Sequence, residues 1–212
     1  MQIEKDENQK GIWRFSPLLE PVEKSFRLSL GEGNTEEFNF DEKIILKRED
    51  KNPTGSLKDR GMAYSVSLAY SLGAKNLVLS SSGNAAISAL SYCKLAGLNL
   101  HIFVSKKTST GKMKKIDELG GTITVSETAV SESFRFAKEN NFFNLRPSIN
   151  EFGQEGYKTI AYELMLAREE IDDIFIPVSS GVCLVGVFKG FNRFFKLPKI
   201  HLCQPSANAL LS

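Results

Sequence analysis

Short apolar runs alternate with longer amphipathic segments along most of this 212-residue chain. The apolar runs have the length of buried strands, and the segments between them carry apolar residues at helical spacing. The predicted strands are 44–46, 77–79, 100–104, 122–125, 142–145, 174–178 and 199–203. The predicted helices are 59–72, 84–96, 111–119, 127–139, 154–168 and 182–195. This alternation predicts βαβ units and therefore an α/β fold with mostly parallel sheets.

The two ends of the chain depart from the alternation. The first 40 residues have no clear period, and we expect an irregular arm lying on the main body. The last predicted strand, 199–203, is followed at once by Gln204 and Pro205. A doubly wound sheet usually continues with a helix at such a point, so we expect the last sheet to be incomplete.

Composition narrows the function classes. The chain has 27 basic and 25 acidic residues, a net charge of +2. Nucleic-acid-binding proteins concentrate far more positive charge. The apolar runs are also too short or too polar to span a bilayer. We therefore expect neither a nucleic-acid partner nor membrane association.

The cysteines and histidines give no sign of a metal site. Cys93, Cys183 and Cys203 are far apart and odd in number, so they fit neither a disulfide framework nor a zinc-binding spacing. Reduced thiols are typical of the cytoplasm, where we expect the protein to reside. His101 and His201 lie in apolar, strand-like runs, which favours packing over catalysis.

Ligands of open α/β sheets bind beyond the carboxyl ends of the strands, and the segment 47–60 lies at such a position. It contains the turn sequence Asn-Pro-Thr-Gly. Ser56 can cap the next helix, which places Lys58 in the first turn, where the helix dipole lowers the pKa of the amine. A lysine of lowered pKa suits imine chemistry. The alternative is a solvated turn of alternating charges, which the residues alone favour.

Two further loops each join a strand to a helix. The hydroxyls and helix-terminal amides of residues 80–84, Ser-Ser-Ser-Gly-Asn, suit a phosphate or carboxylate. An ordinary helix cap is an equal alternative. Residues 177–183 form a weaker cradle of the same kind, because they contain a single glycine. The chain has neither GxGxxG nor GxxxxGK(S/T), which argues against a dinucleotide or nucleoside-triphosphate site.

Taken in order, these segments resemble the fold-type II pyridoxal-phosphate (PLP) enzymes, and among them the threonine synthases. The resemblance covers nearly all of the chain. It rests on the arm segments 11–15 and 29–35, the lysine segment 47–61, the loop 81–84, and the segments 148–150 and 155–159. The lysine segment is highly specific, and Leu-Gly-Glu-Gly-Asn-Thr at 30–35 favours threonine synthase over related enzymes.

The resemblance implies a particular architecture. The fold would be that of the β subunit of tryptophan synthase, with two open, mostly parallel sheets flanked by helices. Residues 1–61 and 146–212 would form a large, PLP-binding domain that is incomplete at its C-terminal end. Residues 62–145 would form a small domain, and the cofactor would lie in the cleft between the two.

The resemblance also implies roles for individual residues. Lys58 would be the catalytic Schiff-base lysine, and Asn84 would bond the phenolic oxygen of the cofactor. The cofactor phosphate would lie against Ser179, Ser180, Gly181, Val182 and Cys183. The substrate carboxylate would lie against Ser81, Ser82, Gly83 and Asn84. Ser148 and Asn150 would face the leaving group of the substrate side chain.

The implied activity is the conversion of O-phosphohomoserine and water to threonine and phosphate, by a homodimer acting on a small amino acid. Three features depart from the family pattern. Ala85 replaces a usual threonine, residues 151–154 lack a usual phosphate-binding arginine, and Ser179 and Val182 replace usual glycines. A serine or threonine dehydratase is therefore one alternative, because elimination from those substrates needs no phosphate site. A non-catalytic or truncated relative that binds no PLP is another.

Overall fold

The computed structural model of the protein describes residues 3–146 and 151–206. Its strands are β1 (Glu37–Asn39), β2 (Ile45–Lys47), β3 (Asn76–Ser80), β4 (Asn99–Ser105), β5 (Thr122–Ser126), β6 (Phe143–Asn144), β7 (Asp173–Pro177) and β8 (Lys199–Cys203). Its helices are α1 (Lys58–Ser71), α2 (Asn84–Ala96), α3 (Thr110–Glu118), α4 (Ala129–Asn140), α5 (Gly153–Ala167) and α6 (Val182–Asn192). The α/β class is confirmed, and each predicted helix overlaps an observed one.

A four-stranded parallel sheet in the order β5-β4-β3-β6 forms the first layer of the fold. The side chains of successive β3 residues pack in two different buried clusters, one on each face of the sheet. Leu77 and Leu79 pack in the main core with residues of α1 and α2, whereas Val78 packs with Phe103 and residues of α4. Helices thus cover both faces, which explains why the sequence of β3 is apolar without alternation.

A second parallel pair, β7 and β8, lies beside α5 and α6. Tyr157 of α5, Ile176 of β7 and Val187 of α6 share one buried cluster. The predicted helix–strand alternation is therefore confirmed in the C-terminal part as well. Both histidines pack as predicted, His101 on Phe103 and Phe136, and His201 on Phe175.

The predicted strand 44–46 behaves differently from the parallel strands. It corresponds to β2, which pairs antiparallel with β1 in a separate two-stranded ribbon. The reason is the short connection between the two strands, since a parallel crossover needs a dozen or more residues. Glu37 and Lys47 hold the inner face of the ribbon through ion pairs with Arg168 and Glu163 of the α5 region.

The other side of this ribbon, which we call the outer face, carries four exposed apolar side chains. Phe38 lies opposite Leu46, and the Phe40 amide donates to the Ile44 carbonyl at the tip. Since alternate residues of a strand point to the same side, all four share the outer face. Phe40 is 66% exposed.

The N-terminal arm contributes to the main core. Its 3₁₀ segment Gly11–Leu18 buries Ile12, Trp13 and Phe15 almost completely. Glu32 holds the arm in place, because its buried carboxylate accepts hydrogen bonds from the Ile12 amide at 3.2 Å and the Tyr92 hydroxyl at 2.8 Å. Burial raises the pKa of this carboxyl. The glutamate of the arm motif therefore has a structural partner on α2.

The helices α1 and α5 pack very closely. A Cβ added to Gly156 would lie 1.9 Å from the Arg60 carbonyl oxygen. Only a glycine therefore lets α5 approach the first turn of α1 at this distance. The close approach sets that turn beside the α5–α6 layer, where the candidate site lies. No helix among the described residues is long and apolar enough to cross a membrane.

Candidate active site

A cavity of about 310 Å³ lies beyond the carboxyl ends of β7 and β8, a size within the range of small-ligand sites. Its walls come from the start of α1 and the turn before it, the first residue of α2, and the last residues of β7 and β8 with the segments that follow them. The lining residues are Ser56, Leu57, Lys58, Asn84, Pro177, Val178, Ser179, Cys203 and Pro205. The cavity thus brings together Lys58, Asn84 and Ser179 from the predicted site.

Lys58 is the first residue of α1 and is half-buried. The Ser56 hydroxyl accepts a hydrogen bond from the Lys58 amide at 3.2 Å, whereas the N-cap position itself is Leu57, one residue later than the sequence suggested. Burial lowers the pKa of the Lys58 amine, and the neighbouring Cys183 acts in the opposite direction. Desolvation therefore lowers the pKa in the direction that the sequence suggested from the helix dipole. A lowered pKa increases the fraction of neutral, nucleophilic amine.

Two buried groups lie close to the Lys58 amine. The Tyr157 ring centroid is 6.0 Å from Lys58 Nζ. Cys183, in the first turn of α6, is also buried, and burial raises the pKa of its thiol to about 12. A thiol with this pKa remains protonated and uncharged near neutral pH. Of these two side chains, Lys58 is therefore the one whose pKa shift favours the nucleophilic form.

The turn that leads into Lys58 is held by buried polar side chains. Asn52 is 4% exposed and accepts a hydrogen bond from the Gly33 amide at 2.9 Å. Asp59 is fully buried and accepts hydrogen bonds from the amide and hydroxyl of Thr54, at 2.7 and 2.5 Å. The segment 52–59 is therefore an ordered turn rather than the solvated one that its charges suggested.

A buried ionic cluster lies directly behind this turn. The Arg60 guanidinium is fully buried and donates to the carboxylates of Glu49 and Glu163 at 2.7–2.9 Å. Lys47 contacts Glu163 at 3.0 Å. Burial alone would raise the pKa of Glu163, but the charges of Arg60 and Lys47 outweigh it and lower the pKa to about 2. The two basic and two acidic side chains of this cluster are thus paired with one another, and none of them lines the cavity.

The loop between β3 and α2 supplies one wall residue. Asn84 is exposed and begins α2. The Ser81 hydroxyl accepts a hydrogen bond from the Gly83 amide at 3.3 Å. Ser81, Ser82 and Gly83 are half-buried and lie outside the cavity lining found among the described residues. Their role toward a substrate carboxylate remains a prediction.

The loop before α6 forms a small hollow next to the cavity. Lys58, Ser179, Ser180, Gly181 and Cys183 are among its lining residues. Gly181 has φ +80°, and the position of its missing Cβ is open space. A left-handed residue without a side chain leaves the amides of the helix terminus accessible to an anion.

Val182 begins α6, and its side chain packs in the core that also contains Val187. A role for Val182 toward a phosphate would therefore involve its backbone amide. Ser148 and Asn150 lie outside the described residues. The sequence did not single out Cys203 and Pro205 as site residues. Their position after a predicted strand could have indicated them, because neighbouring parallel strands end at the same edge of a sheet, where ligands bind.

Comparison with known proteins decides the family. The sequence profile of a family described as pyridoxal-phosphate dependent enzyme matches residues 21–212. The chain belongs to this family. Pyridoxal phosphate is the cofactor of these enzymes, and the fold-type II architecture expected from the sequence is confirmed by the structural neighbours.

Curated relatives of this PLP-family chain include threonine synthases. That of Methanocaldococcus jannaschii is 30% identical over 199 residues, which cover 87% of this chain and 49% of the relative. That of Halalkalibacterium halodurans is 29% identical and is covered to 55%, against 86% of this chain. The chain spans about half the length of the curated relatives it matches.

Solved structures of similar fold come from other enzymes. An O-ureido-L-serine-bound mutant of O-ureido-L-serine synthase has a TM-score of 0.75 at 20% identity, over 85% of this chain and 62% of that one. Maize serine racemase has a TM-score of 0.69 at 26% identity, over 76% of this chain and 51% of that one. These likenesses describe the fold that this PLP-family chain shares with several enzymes.

The residues at the cavity fit pyridoxal phosphate. Lys58 offers an amine for the aldehyde, and Asn84 offers a carboxamide for a ring substituent. The α6 terminus, opened by Gly181, offers amides and hydroxyls for the phosphate. The donor set therefore matches three polar parts of the cofactor, namely the aldehyde, the phenolic oxygen and the phosphate.

Proposed function

We propose that the chain is a PLP-dependent, threonine synthase-like enzyme that converts O-phospho-L-homoserine and water to L-threonine and phosphate. One observation carries the proposal. The half-buried Lys58 amine, with its lowered pKa, shares a cavity with Asn84 and adjoins the open terminus of α6. The threonine synthase relatives at about 30% identity favour this reaction within the family. The chain spans about half the length of those relatives, so the activity of the whole protein is part of the proposal.

The proposed roles follow from position. Lys58 would hold the cofactor and later move protons at Cα and Cβ of the substrate, a role that the neutral form of an amine can perform. Asn84 would orient the cofactor ring, and residues 179–183 would hold its phosphate. Ser81, Ser82, Gly83 and Asn84 would hold the substrate carboxylate, with Ser148 and Asn150 facing the leaving group. When bound, pyridoxal phosphate supplies the electron sink for a substrate carbanion.

The test is a titration of the purified protein with pyridoxal phosphate, followed by visible absorption. We expect a bound-cofactor band that is lost in Lys58→Ala and kept in Lys94→Ala, a control at an exposed lysine of α2. Borohydride reduction and peptide mapping should then find the pyridoxyl group on Lys58. Absence of a band in the unchanged protein would refute cofactor binding and favour the non-catalytic relative. A pyridoxyl group on another lysine would refute the role of Lys58.

A serine or threonine dehydratase is the second candidate. It is supported by Ala85, which replaces a usual threonine, and by the lack of arginine in residues 151–154. Losing a charge-assisted phosphate contact costs roughly 1.5–3 kcal/mol of binding, whereas serine and threonine need no such contact. Release of phosphate from O-phosphohomoserine supports the synthase, and release of ammonia and a 2-oxo acid from serine or threonine supports the dehydratase.

We also propose the domain division 1–61 with 146–212, and 62–145. The division is supported by the two parallel sheets, because the strands of the four-stranded sheet lie within 76–144 and β7–β8 within 173–203. Helix α1 crosses the proposed boundary and packs with both α2 and α5. It is therefore the element about which the two domains would move. Limited proteolysis should release a fragment cut near residue 146 if the division is correct.

We further propose a homodimer in which a second copy covers the outer face of the ribbon. The proposal is supported by four exposed apolar side chains on one short surface, an arrangement that favours protein contact. Phe40→Asp should shift the sedimentation coefficient from dimer to monomer, while Lys43→Asp at the exposed tip leaves the dimer intact. A monomer in the unchanged protein would refute the proposal.

The described cysteines are all unpaired, which supports a reducing compartment such as the cytoplasm.

A further inference from the structure

Asp59 is fully buried although it directly follows the half-buried Lys58 in the first turn of α1. Both of its carboxylate oxygens are used by a single residue. Oδ2 accepts a hydrogen bond from the Thr54 amide at 2.7 Å, and Oδ1 accepts one from the Thr54 hydroxyl at 2.5 Å. Within residues 3–146 and 151–206, no cation lies at ion-pair distance from Asp59. We call this pair the Asp59–Thr54 clamp.

The clamp closes the turn from which Lys58 enters the helix. Thr54 lies before Gly55, which has φ +86°, and the Ser56 hydroxyl then accepts from the Lys58 amide. The beginning of the same turn is held by Asn52, whose side-chain amide nitrogen Nδ2 donates a hydrogen bond to the Glu49 backbone carbonyl at 2.8 Å. The backbone is therefore fixed on both sides of the segment 54–58. Lys58 is the residue of this turn that lines the cavity together with Ser56 and Leu57.

A buried carboxylate is a costly way to hold a turn, because an ionised group loses its hydration when it is buried. It provides two strong acceptors at once, and charge-assisted hydrogen bonds of this kind are short and directional. A lysine amine sits on a flexible four-carbon stem, so its location depends on where the backbone starts that stem. A group that forms a covalent bond must be held close to the productive geometry.

We infer that Asp59 is a positioning residue for Lys58, acting through the Asp59–Thr54 clamp to aim the amine into the cavity. The inference rests on the proposed function, in which Lys58 holds pyridoxal phosphate. Asp59 does not line the cavity, so its effect on the cofactor passes through the turn. Removal of the clamp should therefore reduce cofactor attachment by more than the loss of stability alone explains.

The experiment compares four variants of the full chain, each titrated with pyridoxal phosphate and corrected for its folded fraction. Asp59→Ala and Thr54→Val should weaken cofactor binding ~10-fold or more and slow borohydride trapping on Lys58, because a buried hydrogen-bonding group loses its partner. Thr54→Ser keeps the hydroxyl and should bind close to the unchanged protein. Ile116→Ala, in the buried face of α3, is the control that lowers stability without touching the turn.

The outcomes separate the inference from the proposed function. If the unchanged protein shows no cofactor band, the proposed function fails and this inference fails with it. If it shows the band and Asp59→Ala loses no more affinity than Ile116→Ala, only the inference is overturned. If Asp59→Ala does not fold, Thr54→Val against Thr54→Ser decides in the same way. A fifth variant combines Asp59→Ala with Thr54→Val. It should bind no more weakly than the weaker of these two single variants, since both remove the same clamp; additive losses would contradict the inference.

Discussion

Arg60 donates two hydrogen bonds to the Glu163 carboxylate, at 2.9 and 2.8 Å, although 103 residues separate the two in sequence. The pair joins the first turn of α1 to α5, two residues beyond Lys58. Both side chains are almost entirely shielded from water, with exposures of 0% and 6%. The position of the lysine turn on the α5–α6 layer therefore depends on this contact.

Removal of Glu163 should destabilise the fold strongly. Glu163→Ala leaves Arg60 and Lys47 with one carboxylate fewer in a buried setting, and we expect a loss of ~3–5 kcal/mol in the free energy of unfolding. Urea denaturation at neutral pH measures it. The control is Glu118→Ala, which removes an exposed ion pair with Lys114 and should change stability by less than ~1 kcal/mol. Equal losses in the two variants would show that the buried cluster contributes no more than a surface pair.

Stability should also fall in mild acid. The pKa of Glu163 is about 2 in the folded chain, against 4.5 without its partners, so the unfolded chain takes up the proton first. The contribution of this carboxylate is complete above about pH 4.5 and is lost as the pH falls toward 2. Glu49 has a lowered pKa and acts in the same direction, whereas burial raises the pKa of Glu32, which acts in the opposite one.

The measurement is the free energy of unfolding between about pH 6 and pH 3 for the unchanged protein and Glu163→Gln. The unchanged protein should lose more stability over this range, by roughly 1 kcal/mol or more. Parallel pH profiles for the two proteins would contradict the assignment.

Lys58 should react as an unusually neutral amine. Because burial lowers its pKa, its labelling by trace acetic anhydride should reach half its maximum rate below the ordinary amine value of 10.5. Peptide mass spectrometry across a pH series measures this for Lys58 alone. The same chain unfolded in urea is the control, since burial is then lost and the midpoint should rise to 10.5. An unchanged midpoint on unfolding would refute desolvation as the cause.

A methyl group at Gly156 should separate α1 from α5. Its Cβ would lie 1.9 Å from the Arg60 carbonyl oxygen, a backbone atom that cannot move without moving the helix. We expect Gly156→Ala to cost ~1–3 kcal/mol or more of stability, measured by thermal unfolding. Gly111→Ala in α3 is the matched control, because its Cβ meets no atom within 4 Å. It should leave the melting temperature unchanged or slightly raised.

The alternation of apolar runs and helical segments was enough to predict the parallel strands and helices, because burial on both faces leaves a local trace in the sequence. The ribbon was not predicted. Ile45 of β2 has an apolar neighbour on each side, as a buried strand would, and yet it is 38% exposed. Its pairing with β1 depends on a short connection and on ion pairs to α5, and no local pattern records them.

The candidate site was predictable where turn chemistry is local. Ser56 and Lys58 directly follow a turn sequence, which predicted that Lys58 lies in the first turn of a helix. The structure places Lys58 as the first residue of α1, with its amide bonded to the Ser56 hydroxyl. The partners of Arg60 were not predictable in this way, because many acidic residues have the same local appearance as Glu163. Likewise, the dominant effect on the Lys58 pKa comes from burial. A sequence shows the helix terminus but not the depth of the cavity around it.

The first turn of α1 places three consecutive residues in three surroundings. Lys58 lines the cavity, Asp59 lies in the clamp, and Arg60 lies in the ionic cluster. Successive residues of a helix are rotated by about 100°. Deleting one residue from the segment 52–57 would therefore either stretch the loop or shift the helix by one residue. In the second case the side chain of Asp59 would face the cavity in place of the Lys58 amine. The length of this segment is thus under a stricter constraint than the identity of its exposed residues.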